Sequence, residues 1–426
     1  MSAPAKPRPG LLANRDFTRF WFGETVSLFG VRITALALPL TAVLALDANP
    51  GHLGVLWFLT YLPYLFAMPF GVLVDRLAKR PLMIAANLLR GVLIGLVPVL
   101  AALDMLSMGV LYAITLGIAF GTVLFEVCWQ SYVPVLVSKE DLVAANGRVT
   151  ASWSAAESAG PGLGGLLVQA LTAPFALVAN AFSYLVSVWT LWRIKVPEPR
   201  PAPSGRRVGW EMRDGFAFVV RQPLLRAIVM SGAVYNFFYV FLEALFVIYA
   251  VEVLGFSAGL IGLVLSIGAI GGILGASLAA RFVRRFPFGR VYIVADLIGV
   301  CGPLLIPLVT GPTVLAVIGV TTGFLVMRAG SAVANTASIS LRQAVTPPDM
   351  LGRMNAGMRT LMWSPQTLGA LAGGYLGTVV GIRAGLFVAG VGCLLSALPL
   401  LLSRIPALRE LPSVPVVRET RESVPT

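Results

Sequence analysis

Residues 82–103 read LMIAANLLRGVLIGLVPVLAAL, an apolar run whose single charge is Arg90. A helix rises about 1.5 Å per residue and the hydrocarbon core of a bilayer is about 30 Å thick, so the run is long enough to cross once. It lacks the ten-residue alternation of a barrel strand. It reads as a transmembrane helix.

Eleven further runs of this kind surround it. The first six spans fall at about 18–46, 53–74, 82–103, 109–137, 149–171 and 174–194. The second six fall at about 226–251, 258–280, 291–310, 313–341, 357–381 and 384–403. The composition agrees: of 426 residues, 57% are hydrophobic and 12% charged, with a mean hydropathy of +0.86. A soluble domain carries about 25% charged residues. The fold class is therefore an all-α membrane protein, twelve transmembrane helices in two pseudo-symmetric six-helix lobes. The expected divisions are a cytoplasmic tail at 1–17, lobes at 18–194 and 226–403, a central loop at 195–225 and a second tail at 404–426. Within the loop, GWEMRDGFAFVVRQPLL (209–225) reads as a helix lying on the membrane surface.

The formal charge of +13 can indicate nucleic acid, but its placement points elsewhere. Of the 32 Lys and Arg, 28 fall in the segments that are cytoplasmic if both termini are inside. Only Arg383 falls in an external loop, while Arg32, Arg90 and Arg328 lie within spans. This asymmetry places both termini in the cytoplasm. External loops are short, which leaves no receptor domain there. Cys128, Cys301 and Cys393 lie far apart, and His52 is the only histidine, so no disulfide framework or histidine-based metal centre is expected. None of the four lysines follows a glycine, so there is no phosphate-binding loop of an ATPase. The amino terminus shows no cleavable signal pattern. No cofactor is expected.

The two halves repeat. Asn146, Gly160, Gly164 and Gly165 recur 209 residues later as Asn355, Gly369, Gly373 and Gly374. At the same offset Asn87 meets Asp296 and Arg76 meets Arg285. Two parallel six-helix repeats point to a transporter with its site between the lobes.

Two motifs carry the chemistry of that arrangement. GVLVDRLAKRP (71–81) follows the second span: Gly71 allows close helix approach, Asp75 can face a helix amino terminus, and Arg76, Lys79 and Arg80 hold the turn in the cytosol. In the fifth span, ESAGPGLGGLL (157–167) places Pro161, which removes a backbone donor, among Gly160, Gly164 and Gly165, which admit a neighbouring backbone. Gly160, Gly162 and Gly165 also fit a dinucleotide fingerprint, but no strand can precede them in mid-bilayer.

The first string resembles the G-x-L-x-D-R-x-x-R-R signature of the major facilitator superfamily, and the second resembles the superfamily's antiporter motif. Together with TVLFEVCWQSYVPVLVSKEDLVAANGR (122–148) and LRQAVTPPDMLGRMNAGMR (341–359), the chain is similar to the macrolide-efflux and enterobactin-exporter-like branch over roughly residues 11–405. The resemblance implies a cytoplasmic latch at 71–81, with Ala78 replacing the usual Gly. AARFVRRFPFGR (279–290) lacks the Asp, so any latch rests on Asp75 alone. The Arg that many drug/proton antiporters carry in the fourth span has no equivalent in 111–127, so its relay does not carry over.

Eight ionisable residues fall within spans: Glu24, Arg32, Arg90, Glu126, Glu157, Glu243, Asp296 and Arg328. Each costs roughly 2.5–3.5 kcal/mol at a helix centre, so such groups line interiors or aqueous paths. Arg32, Glu126, Glu243 and Arg328 lie near mid-span on the first, fourth, seventh and tenth spans, which line the cavity in the superfamily. Each lobe then offers one acid and one base. Either these form a static pair within each lobe, or Glu126 or Glu243 binds a proton or substrate. Burial disfavours a charged carboxylate and a nearby Arg favours it, so movement can drive proton uptake and release. Glu24 serves snorkelling, entry or coupling. Glu157 reads as a helix–helix contact, and Arg90 and Asp296 as structural groups near the cytosol. YNFFYVF (235–241) is either aromatic packing or, near Glu243, a wall for amphipathic molecules.

The reading is a proton-coupled exporter of amphipathic compounds (antibiotics, secondary metabolites or siderophores) in a bacterial plasma membrane, working by alternating access. A proton-coupled nutrient importer of the same fold is the alternative; an enzyme or receptor lacks the residues. Expected partners are a small molecule, protons and lipid, without nucleic acid, and the chain is expected to act as a monomer.

Overall fold

The computed structural model describes residues 11–66, 70, 74, 77–198, 208–309 and 313–412, and every regular element among them is helical. In chain order these are α1 (Arg15–Leu46), α2 (Pro50–Tyr61), α3 (Lys79–Ala102), α4 (Met108–Leu136), α5 (Leu142–Leu171), α6 (Val178–Trp192) and α7 (Val208–Arg221). They continue as α8 (Pro223–Ile248), α9 (Ala258–Arg285), α10 (Phe288–Leu305), α11 (Thr313–Ala344), α12 (Leu351–Val379) and α13 (Ile382–Leu395). Among the described residues, nine helices are long and apolar enough to cross a membrane: α1, α3, α4, α6, α8, α9, α10, α11 and α13, some with a short flanking turn.

The three remaining expected spans differ for physical reasons. α2 ends at Tyr61 and tightens into a 3₁₀ turn over Leu62–Phe66, beyond which most of the expected span lies outside the described residues. α5 and α12 begin at Leu142 and Leu351, well before the apolar runs at 149 and 357. Both are rich in Gly, Ser, Ala and Asn, and each packs closely against helices of both halves. Helices that meet neighbours on most faces need small residues more than apolar bulk. By contrast, α6 turns Phe182, Leu185 and Trp189 outward on one stripe, as a helix facing lipid does.

Local sequence sets the turns. Asn14 caps α1 by accepting from the amides of Asp16 and Phe17, both at 3.1 Å. α1 ends at Asp47 in left-handed geometry, φ 48°. Asn49 then caps α2, accepting from the His52 amide at 3.0 Å while His52 Nδ1 accepts from the Asn49 amide at 3.4 Å. The one histidine thus completes a capping box.

The packing repeats across the halves. α1 lies against α5 and α6, as α8 lies against α12 and α13; α3 lies against α4 and α6, as α10 lies against α11 and α13. The most extensive crossings between the halves are α5 with α9 and α2 with α12. At the distal end, where α1 and α8 finish, one apolar core draws on both halves: Leu36, Leu40, Leu53 and Leu56 join Leu245, Phe246, Ile261 and Phe324. At the proximal end the core splits in two. One cluster runs from Leu11 to Ile194 and the other from Val219 to Ile405, with no member in common. The halves are sealed together distally and separate proximally.

Candidate functional site

Between the halves lie two chambers. The proximal one, about 340 Å³, is lined by Tyr61, Tyr64, Glu126, Arg359, Trp363 and Gln366 among others. The deeper one, about 130 Å³, sits beneath the distal seal and is lined by Arg32, Trp57, Glu157, Tyr239, Glu243 and Arg328 among others. Tyr61 faces the first and Glu243 the second, and their contact forms the partition: the Tyr61 hydroxyl donates to Glu243 Oε2 at 2.6 Å. Trp57 stacks on Tyr61 at 5.9 Å between centroids.

The four mid-span charges named from sequence all reach these chambers, and of the two alternatives the static pair within each half is absent among the described residues. Neither Arg32–Glu126 nor Glu243–Arg328 forms as a salt bridge. Arg32 Nη2 lies 2.6 Å from Glu157 Oε2, and Arg328 Nη2 lies 3.2 Å from Glu157 Oε1. Glu157 on α5 therefore stands between a guanidinium of its own half and one of the other. Glu126 accepts from the Tyr64 hydroxyl at 3.0 Å and faces Arg359 Nη2 at 3.6 Å, again across the halves. Glu243 takes Tyr61 instead of an arginine. Each acid contacts the opposite half.

The glycine motif of α5 explains the geometry of Glu157. Gly160 and Gly164 seat α5 against α1, where a Cβ on Gly160 would strike Arg32 and one on Gly164 would lie 3.2 Å from Ile33 Cα. Gly162 and Gly165 turn the other way: the Gly162 amide donates to Ser266 Oγ at 2.8 Å, and a Cβ on Gly165 would lie 3.0 Å from Gly262 Cα. The helix is thus clamped between α1 and α9. Both arginines come within reach of one carboxylate.

Other candidates find different roles. Glu24 Oε2 is buried without a hydrogen-bond partner. Arg90 is buried between the rings of Phe125 and Tyr184, each 4.5 Å away, and donates to Asn87. Asp296 faces a separate cavity. In YNFFYVF, Phe237 packs on Gly369 and Phe238 on Gly392, whereas Tyr239 lines the deeper chamber. Gly71, Asp75 and Arg76 lie outside the described residues. Of the latch, Lys79 and Arg80 are visible: their amides donate to Glu198 at 2.7 and 2.6 Å, and the Arg80 side chain donates to the Leu191 and Trp192 carbonyls. Cys128, Cys301 and Cys393 are free.

Residues that sequence reasoning passed over complete the site. Arg359 falls only two residues into the eleventh expected span, which begins at about 357. With α12 starting at Leu351, Arg359 is two turns inside. Tyr61 and Tyr64 carry no charge to betray them.

A helical bundle with a polar chamber between two repeated halves is the architecture of a membrane transporter. The chain matches the family described as transmembrane secretion effectors over residues 10–424 and belongs to it, within the major facilitator superfamily. It is a multi-pass bacterial membrane protein of a transporter family, not an enzyme. It is 25% identical over 236 residues to macrolide efflux protein A of Streptococcus pyogenes, a match covering 54% of this chain and 57% of that protein. The chain thus spans little more than half the length of that relative. It is 27% identical over 348 residues to the enterobactin exporter EntS of Salmonella typhi, covering 78% of each. Among solved structures, the nucleoside transporter NupG superposes with a TM-score of 0.74 at 11% identity, covering 91% of this chain and 98% of that one. A bacterial homologue of the iron transporter ferroportin gives 0.67 at 17% identity, covering 92% and 99%. These likenesses concern the fold.

Proposed function

We propose that the protein exports amphipathic organic compounds by alternating access, driven by proton entry. Two six-helix lobes, at 18–194 and 226–403, make up twelve spans, with both termini in the cytoplasm. The proximal end is then the cytoplasmic one, and the split core with its aromatic, half-polar chamber is the inward-open substrate entrance. The observation that carries the reading is Glu157, bridging Arg32 and Arg328 from opposite halves. Rocking the halves apart at the distal end must break one of those bridges. Neutralising Glu157 removes the charge that holds both, so loss of that charge favours opening. Glu243 with Tyr61 and Glu126 with Tyr64 and Arg359 are further ties across the same interface. Export, and the macrolide and siderophore substrate classes, rest on the likeness to the two named exporters.

The test is accumulation of radiolabelled erythromycin and of a catecholate siderophore in cells expressing the chain, with and without a protonophore. Lower accumulation that returns to baseline with protonophore supports the reading. The Glu157→Gln variant should reach the membrane yet lose at least ten-fold of the gradient-driven rate. Full gradient-driven transport by that variant would remove Glu157 from coupling, and uptake in place of efflux would reverse the direction.

A further inference from the structure

The 209-residue repeat changes chemistry at one buried place. In the first half Gly121 of α4 packs over Ala86 and Arg90 of α3. In the second, Gly330 of α11 packs over Ala295 and Gly299 of α10, the same three positions 209 residues on. The helix contact is rebuilt, but its contents differ. Arg90 becomes Gly299, and the rings that sandwich it, Phe125 and Tyr184, become Ala334 and Cys393. Asn87, whose amide donates to Ser187 Oγ at 2.8 Å, becomes Asp296. A guanidinium and two rings are gone, and a carboxylate has taken the place of a neutral amide.

The result is a cavity of about 170 Å³ lined by residues of α8, α10, α11 and α12 and open on the side of the exposed Asn335. Asp296 lines it together with Ser231, Tyr292, Ser331, Asn335 and Ser338. Asp296 Oδ2 is buried without a hydrogen-bond partner, and among the described residues Asp296 forms no ion pair. A buried carboxylate is strongly disfavoured unless a cation or a proton balances it. Where the first half supplies its own cation, the second supplies none.

We propose that this cavity binds a monovalent alkali cation, with Asp296 as the charge partner and the neutral oxygens of Ser231, Ser331, Asn335 and Ser338 around it. Carboxylate, hydroxyl and amide oxygens are hard ligands that suit hard cations, and no thiolate or imidazole lines the cavity to favour a transition metal. One carboxylate neutralises one positive charge, whereas a divalent ion would keep a net charge in an apolar lobe. The site adjoins the transport chambers without sharing their acids. Tyr235 lines the cavity and stacks at 5.5 Å on Tyr239 of the deeper chamber. Asn236, also lining it, accepts from Gln366 of the proximal chamber at 2.8 Å. Cation occupancy can therefore be felt by both chambers.

Binding is measured without transport, so the inference stands apart from the export reading. Purified full-length protein in detergent is unfolded thermally in sodium, potassium or choline chloride at equal ionic strength and fixed alkaline pH, alongside direct binding of ²²Na⁺ to immobilised protein. A saturable rise in Tm with sodium or potassium over choline is expected, and the more effective ion identifies the occupant. Asp296→Asn, which installs the side chain of the first half, should weaken the response at least ten-fold. Asn335→Ala, which leaves the carboxylate in place, should weaken it several-fold and serves if the first variant fails to fold. Equal Tm in all three salts with no ²²Na⁺ bound would overturn the proposal and leave a protonated Asp296. An undiminished response in both variants would overturn it too.

Discussion

Two helix crossings close the distal end, and both are built on glycine pairs. On α2 and α12, a Cβ added to Gly54 would lie 2.7 Å from Gly374 Cα and 2.8 Å from the Ala370 carbonyl oxygen. One added to Gly374 would meet Gly54 Cα at 2.7 Å and the Pro50 carbonyl oxygen at 2.9 Å. Ordinary van der Waals contact begins at about 3.4 Å, and every obstacle here is backbone, which cannot rotate away. Gly54→Ala must therefore push α2 and α12 apart by roughly 0.7 Å while the distal end is closed. Overpacking of that kind costs about 1–3 kcal/mol. When the halves part distally the contact is gone and so is the cost, so the whole penalty falls on one conformation. The equilibrium should shift towards the distally open form by about five- to 150-fold.

The assay is pulsed electron paramagnetic resonance on spin labels at Met105→Cys and Val253→Cys, exposed positions at the distal end of opposite halves, with the three native cysteines replaced. Gly54→Ala should move weight to longer distances, and Gly374→Val should move more, having a larger side chain at the same contact. A distribution identical to the parent in both variants, with normal transport, would refute the claim that this glycine contact closes the distal end.

Two further perturbations probe the framework around the site. Glu198→Ala removes both acceptors from the amides that open α3, which should lower stability by about 1–2 kcal/mol, read as a fall in Tm of a few degrees with substrate binding unchanged. Arg90→Met should keep Tm within a few degrees, because a flexible thioether fills the space between Phe125 and Tyr184. Arg90→Ala should cost about 2–5 kcal/mol by leaving a cavity. Equal losses from the two Arg90 variants, in thermal unfolding, would mean that the guanidinium matters for its charge and not its bulk.

The sequence disclosed depth far better than direction. Hydropathy placed Arg32, Glu126, Glu243 and Arg328 at mid-span, and all four line the chambers. It could not say which way each side chain points around its helix, because a rotation of one residue, about 100°, leaves hydropathy unchanged. Which partner each charge takes was not legible for that reason. Arg32 turns to Glu157 on α5, and Glu126 turns across to Arg359. Glu157 was legible as a helix contact but not as the point where the halves meet. Arg359 was hidden because the polar start of α12, LGRMNAGMR, looks like a loop until Gly357 is seen packing on α7. The glycine motif was the more faithful guide. Its residues needed neighbours at backbone distance, and α1 and α9 supply them.

The repeat itself explains why the charged network crosses between halves. Every central charge has a neutral counterpart 209 residues away: Arg32 and Phe241, Glu126 and Asn335, Glu157 and Gln366, Glu243 and Thr34, Arg328 and Ala119, Arg359 and Thr150. The framework contacts, by contrast, are kept in both halves, as Gly165 and Gly374 at the two crossings show. If the charges had been kept as well, the repeat would bring each acid towards its own copy across the same narrow interface. Like charges there repel strongly, and one of each pair would have to lose its charge. Neutralising one copy removes that conflict. It also makes the network single-valued: Glu157 has one guanidinium from each half and no rival carboxylate at its symmetry mate, where Gln366 binds Asn236 instead. A hinge can be symmetric, but a charge bridge between the halves is unambiguous only with one hub.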